Sequence, residues 1–205
     1  MAILMGHSVS ATLVVAAAQS STTLWYVTRA TALAAYVTLS ASVILGMLRT
    51  IARRASERVS WRVDELHQFI ATLAGVFVLG HLLALKFDSY LPFSLANLLL
   101  PINEPYRPTA VVVGVFALYT LVPILLTSWL RRRMRYGVWR AVHYISFVCF
   151  VLVTIHGWLA GSDSGEPWMR AIYAGASAMV VFLLLARLFV GSPAPTPQSQ
   201  SQLLD

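Results

Sequence analysis

The sequence predicts an all-α membrane protein, a multi-pass bundle of five transmembrane helices, or six if the N-terminal segment also crosses. Hydrophobic side chains make up 58% of the 205 residues and charged ones 11%, with a mean hydropathy of +0.72. A soluble domain carries about 25% charged residues. Five apolar runs are each long enough to cross the roughly 30 Å hydrocarbon layer at about 1.5 Å per residue. The basic residues behind the formal net charge of +7 lie in short stretches between those runs. Membrane topology accounts for them there, and no nucleic-acid partner is expected.

Taken in order, residues 2–18 are apolar but interrupted by Gly6, His7, Ser8 and Ser10. Whether segment 1–23 is a weak first span, an interfacial helix or a cleaved signal stays open. The first secure span, 24–48, contains one charge, Arg29. Residues 49–62 follow with Arg49, Arg53, Arg54, Arg58 and Arg62 against Glu57, the pattern of a cytoplasmic loop. The second span, 66–87, has His67 at its cytoplasmic mouth and His81 near its far end. Residues 88–108 hold Pro92, Pro101, Pro105 and Pro108, and their apolar part, 92–101, suits the membrane surface on the outer side.

The third span, 109–130, ends in Arg131, Arg132, Arg133 and Arg135, a second cytoplasmic loop. The fourth, 138–160, carries His143 early and His156 late, before an acidic outer turn at 161–167. The fifth, 168–190, completes a transmembrane domain of 24–190, and the Pro-, Ser- and Gln-rich tail 191–205 is expected to be disordered in the cytoplasm. The single cysteine, Cys149, excludes disulfides within the chain, and no C-x-x-C-H motif attaches a haem covalently.

An imidazole in hydrocarbon must find a partner, so two histidines in each of two spans ask for one explanation. The spans holding them run parallel, separated by one other, so depth alone pairs His67 with His143 and His81 with His156. Each pair can clamp one iron, giving two six-coordinate b-type haems suited to electron transfer. The 14-residue spacing in the second span is about 21 Å along the axis and only about 40° from a common face. The 13-residue spacing in the fourth turns roughly 140° away, which needs either altered winding near Gly157 or haems approached from different sides. Gly75, between His67 and His81, would leave room for a porphyrin. A bare metal ion is disfavoured, because carboxylates and thiolates are missing at those depths. The competing reading is that the histidines are structural hydrogen-bonding residues, and that is the reading adopted for His7.

These residues carry a resemblance. The stretches Asp64-Glu-Leu-His67, Gly80-His81, Leu100-Pro-Ile-Asn-Glu-Pro-Tyr-Arg-Pro108, Trp139-Arg-Ala-Val-His143 and Ile155-His156-Gly157 resemble the ferric reductase-like transmembrane domain. Ferric reductases, NADPH oxidases and the membrane haem subunit of bacterial methionine sulfoxide reductase systems share that domain. The likeness covers about residues 25–187 and implies that His67, His81, His143 and His156 ligate two non-covalent haems b. Ferric reductases and NADPH oxidases add a flavin and NADPH domain. Here no G-x-G-x-x-G motif follows, so no flavin or NADPH site is expected in the chain.

Haem propionates need cations. Arg140 and Arg49 or Arg53 are placed for the inner haem, and Arg29, well inside a span, for the outer one, with topology and snorkelling as the alternatives. Trp158, Trp168 and Tyr90 suit an interfacial belt, and Phe150 either separates the porphyrins or simply packs. The function expected is transmembrane electron transfer by the membrane subunit of a reductase system in a plasma membrane, the bacterial inner membrane by type. Its partners would be lipid and a separate flavoprotein, quinol or extracytoplasmic reductase. The alternatives are a self-sufficient ferric or oxygen reductase at the outer haem, or a non-redox helical subunit.

Overall fold

The computed structural model describes side chains at residues 22–49, 61–88, 93–102 and 106–187, and backbone alone at 2–21, 50–55, 57–60 and 188–189. The described residues form helices and no strand: α1 (Ala2–Ala55), α2 (Glu57–Phe87), the short α3 (Leu95–Leu99), α4 (Pro108–Trp129), a 3₁₀ turn (Arg131–Arg133), α5 (Tyr136–Ala160) and α6 (Pro167–Phe189). Five stretches are long and apolar enough to cross a membrane: Thr22–Arg49, Trp61–Phe87, Pro108–Trp129, Tyr136–Ala160 and Pro167–Arg187. The second begins earlier than hydropathy suggested. His67 therefore lies six residues inside it rather than at its mouth. The side chains of 2–18, His7 among them, Tyr90 and the tail 191–205 lie outside the described residues; the 2–21 backbone continues α1.

Lipid tails are as apolar as leucine, so helices in a bilayer are held by close packing and internal polar bonds rather than by the hydrophobic effect. α1 packs along α2, α4 along α5, and both α5 and α6 rest on α1. At mid-depth all five long helices contribute to one cluster that includes Leu39, Ala74, Leu121, Cys149, Phe150 and Leu183. Phe150 is therefore a core residue. Several hydroxyls are satisfied locally, as where Thr127 donates to the carbonyl of Pro123 at 2.7 Å and Thr154 to that of Phe150 at 2.8 Å. Pro123 removes one N–H from α4 without ending it.

Helix alternation puts the 50–60 and 131–135 connections at one end, here called the basic end, and the 88–107 and 161–166 connections at the other. In the longer of the latter, Ser94 and Asn97 form a capping box that starts α3. α3 buries Leu98 and leaves Leu95 and Leu99 exposed, so the described apolar stretch at 93–101 is packed on the bundle on one side and open on the other. Arg107, at φ 41°, donates to the carbonyls of Leu159 (2.9 Å) and Ala160 (3.2 Å). A cation thus meets the open carbonyls at the C-terminus of α5 and ties it to the start of α4.

Candidate functional site

The four span histidines fall into two cavities. His67 and His143 line one of about 760 Å³ at the basic end, and His81 and His156 line one of about 300 Å³ at the other. Both volumes lie within the roughly 300–1,000 Å³ of ordinary cofactor sites. The imidazole rings of His67 and His143 are 6.0 Å apart, centroid to centroid. Two imidazoles sharing one metal at about 2 Å per bond stand at about that separation. Leu39 and Leu121 line both cavities and, with Phe150 packed in the same cluster, form an apolar wall between them.

The histidines are oriented by backbone. His67 Nδ1–H donates to the Ser42 carbonyl (2.9 Å), His81 Nδ1–H to the Thr28 carbonyl (3.2 Å) and His156 Nδ1–H to the Ala110 carbonyl (2.7 Å). A carbonyl oxygen only accepts, so the proton sits on Nδ1 and Nε2 keeps its lone pair. Metal-ligating histidines are commonly held in this way. The 14-residue step from His67 to His81 is mirrored by the 14-residue step from Ser42 back to Thr28, so one antiparallel register of α1 on α2 orients both rings. His143 differs. Its buried Nδ1 has no hydrogen-bond partner, and its ring stacks on Trp139 instead, at 5.0 Å and 22°.

α5 is uninterrupted α-helix through both of its histidines. The 13-residue spacing is therefore met by approach from different sides, His143 toward His67 of α2 and His156 toward Ala110 of α4. Gly157 provides no change of winding; a Cβ there would stand 2.7 Å from the Tyr173 hydroxyl, so it admits that side chain. Gly75 likewise faces Leu125, whose Cδ1 would lie 3.1 Å from a Cβ, and it lines neither cavity. The glycines that do matter to the cavities sit on the neighbouring helices. A Cβ on Gly114 would come within 2.6 Å of the His156 ring, and one on Gly46 within 3.3 Å of the His67 ring.

Arg29 lines the His81/His156 cavity, with its guanidinium 4.2 Å over the Trp25 ring. Its anion is Asp163, on the turn between α5 and α6, bonded through both Nη2 and Nε (3.2 Å). That carboxylate was not foreseen at Arg29. Bonds to charged groups contribute about 1.5–3 kcal/mol, and this pair is partly buried, so Asp163→Asn should lower the unfolding midpoint in detergent. Combining it with Arg29→Gln should cost less than the two single changes added together. Additive costs would mean the pair is not coupled.

At the basic end, Arg140 is exposed and donates to the Tyr144 hydroxyl (2.9 and 3.1 Å). It does not line the cavity; Arg131, Arg132 and Arg187 do. Arg49 is engaged by Asp64, Nη2 to Oδ2 at 2.7 Å, and the Arg53 side chain lies outside the described residues. Among the described residues no three His, Cys, Asp or Glu gather into a metal cage. A histidine pair alone suits a macrocycle that brings its own equatorial nitrogens.

Compared with known proteins, residues 31–155 match a family model described as "Ferric reductase like transmembrane component". The match covers more than half of the chain, takes in His67, His81 and His143, and stops one residue before His156. No curated protein and no solved structure matches the chain.

Proposed function

The chain belongs to the ferric reductase-like transmembrane family, and from that premise we propose that it carries single electrons across a membrane through two bis-histidine haems b. The observation that carries this reading is the shared tautomer of His67, His81 and His156, each with Nδ1–H on a carbonyl and Nε2 left bare, in two cavities that hold one histidine pair each. Haem b bound there supplies one-electron exchange with no accompanying hydride or proton.

In this reading His67 and His143 hold the inner haem and His81 and His156 the outer one. Three carbonyls fix the imidazoles so that little reorganisation accompanies a change of charge. Arg131, Arg132 and Arg187 offer the cations that inner propionates require, in place of Arg140 and Arg49. Arg29 serves the outer cavity while balanced by Asp163. Leu39, Leu121 and Phe150 keep water out of the space between the sites, where a leak of protons or ions would short-circuit the membrane. The basic end faces the cytoplasm of a bacterial-type plasma membrane by the distribution of arginine. The donor in this reading is a flavoprotein or a quinol, and the acceptor is on the far side.

Vesicles containing the haem-loaded protein and trapped ferricyanide, given a membrane-impermeant reductant outside, test this. Ferricyanide should disappear faster than in protein-free vesicles, and the rate should fall to the protein-free level in His67→Ala. Equal rates with and without the wild-type protein would refute transmembrane transfer.

A further inference from the structure

We infer that Trp139, backed by Arg131, is the positioning residue of His143, doing by ring stacking what a backbone carbonyl does for the other three span histidines. The inference rests on the two-haem reading and deepens it. Trp139 precedes His143 by four residues on α5, so the two side chains share a helix face. Their rings lie at 5.0 Å and 22°, and the Arg131 guanidinium stands 4.5 Å over the indole from the exposed 3₁₀ turn. Tyr136 extends the column, its ring 5.7 Å from that of Trp139.

Two details argue against simple packing. His143 is the one span histidine whose Nδ1 meets no acceptor, so no hydrogen bond at that nitrogen sets its ring angle. Trp139 is buried with its own Nε1–H unpartnered, a cost that a phenylalanine or leucine would avoid. What the indole offers here is a broad flat face with negative charge density, which meets the imidazole and also accepts the cation.

A chemical asymmetry follows. A carbonyl on Nδ1–H makes an imidazole a richer electron donor to iron and favours the ferric state. Both outer histidines have that bond, and only His67 has it at the inner site. The inner site also faces Arg131, Arg132 and Arg187, whereas Arg29 at the outer site is balanced by Asp163. Both effects place the inner midpoint potential above the outer one.

The test uses the full-length haem-loaded protein in detergent, as wild type, Trp139→Phe, Trp139→Leu and Arg131→Gln. The readouts are haem per chain, the low-spin EPR signals and the two midpoints by potentiometry, with the inner component identified as the one missing from His67→Ala. Trp139→Leu should broaden or erase the inner EPR signal and spare the outer. Trp139→Phe should restore a single inner signal, and Arg131→Gln should lower the inner midpoint. An inner signal unaltered in Trp139→Leu overturns the inference while leaving the two-haem reading intact. If Trp139→Leu fails to fold, Trp139→Met decides by the same criterion, an unaltered inner signal overturning the inference. Wild-type protein without haem removes both readings together.

Discussion

Replacing His81 or His156 with Ala should remove the same haem and leave the other, taking the content from about two per chain to about one. His81 comes from α2 and is oriented by α1, and His156 comes from α5 and is oriented by α4. They share no element, yet they line one cavity. Either histidine lost from so apolar a cavity would leave no water-rich environment to replace it in holding a haem, and loss of even an outer-shell partner commonly costs 10–100-fold in metal affinity. Loss of a ligand should cost more. His67→Ala and His143→Ala should delete the complementary spectral component. Haem counting with EPR of the remaining signal checks the pairing. Equal loss of both haems from every single mutant would mean the cavities are not separate sites.

Gly114→Ala should empty the outer site almost as completely, although it touches no ligand atom in the sequence sense. The new methyl carbon would stand 2.6 Å from Nδ1 and Cε1 of His156. Because α4 backbone cannot recede without unpacking from α5, the imidazole has to swing away, breaking its 2.7 Å bond to Ala110. Alanine is the better helix former by about 1 kcal/mol, so the helix itself should not suffer. Haem content should fall far more than stability does, since the helix-propensity gain offsets part of the cost of the lost bond to Ala110 in the haem-free protein. Gly46→Ala is the matched control: its methyl would lie 3.3 Å from His67, a contact that a shift of a few tenths of an ångström relieves. It should keep the inner haem with a perturbed EPR signal. Normal outer occupancy in Gly114→Ala would show that His156 does not need its present position.

Much of this architecture was legible in the sequence, because a bilayer imposes a length and an apolar composition on whatever crosses it. The five spans came from hydropathy, and chain order put His67 at the depth of His143 and His81 at that of His156; the structure adds that each of these pairs lines one cavity. What escaped depends on how helices rotate against one another. Gly46 and Gly114 are unremarked small residues in apolar runs until the register of α1 on α2 and α4 on α5 is known, while Gly75 was misread for the same reason. Arg29 called for an anion by its depth, but Asp163 reaches it through a turn whose path no periodicity describes. Arg140 is near His143 in sequence but bonds to the Tyr144 hydroxyl and does not itself line the cavity, as Arg131, Arg132 and Arg187 do. The stack of Trp139 on His143 had a sequence signal in its four-residue spacing, overlooked because an aromatic in a membrane helix usually only packs.

The most direct test of the two-site reading is the haem content and dithionite-reduced spectrum of purified, folded, full-length protein. Two independent histidine pairs predict a low-spin b-type α band and about two non-covalent haems per chain. Well-folded protein with haem content near zero would contradict it and return the four histidines to a structural role.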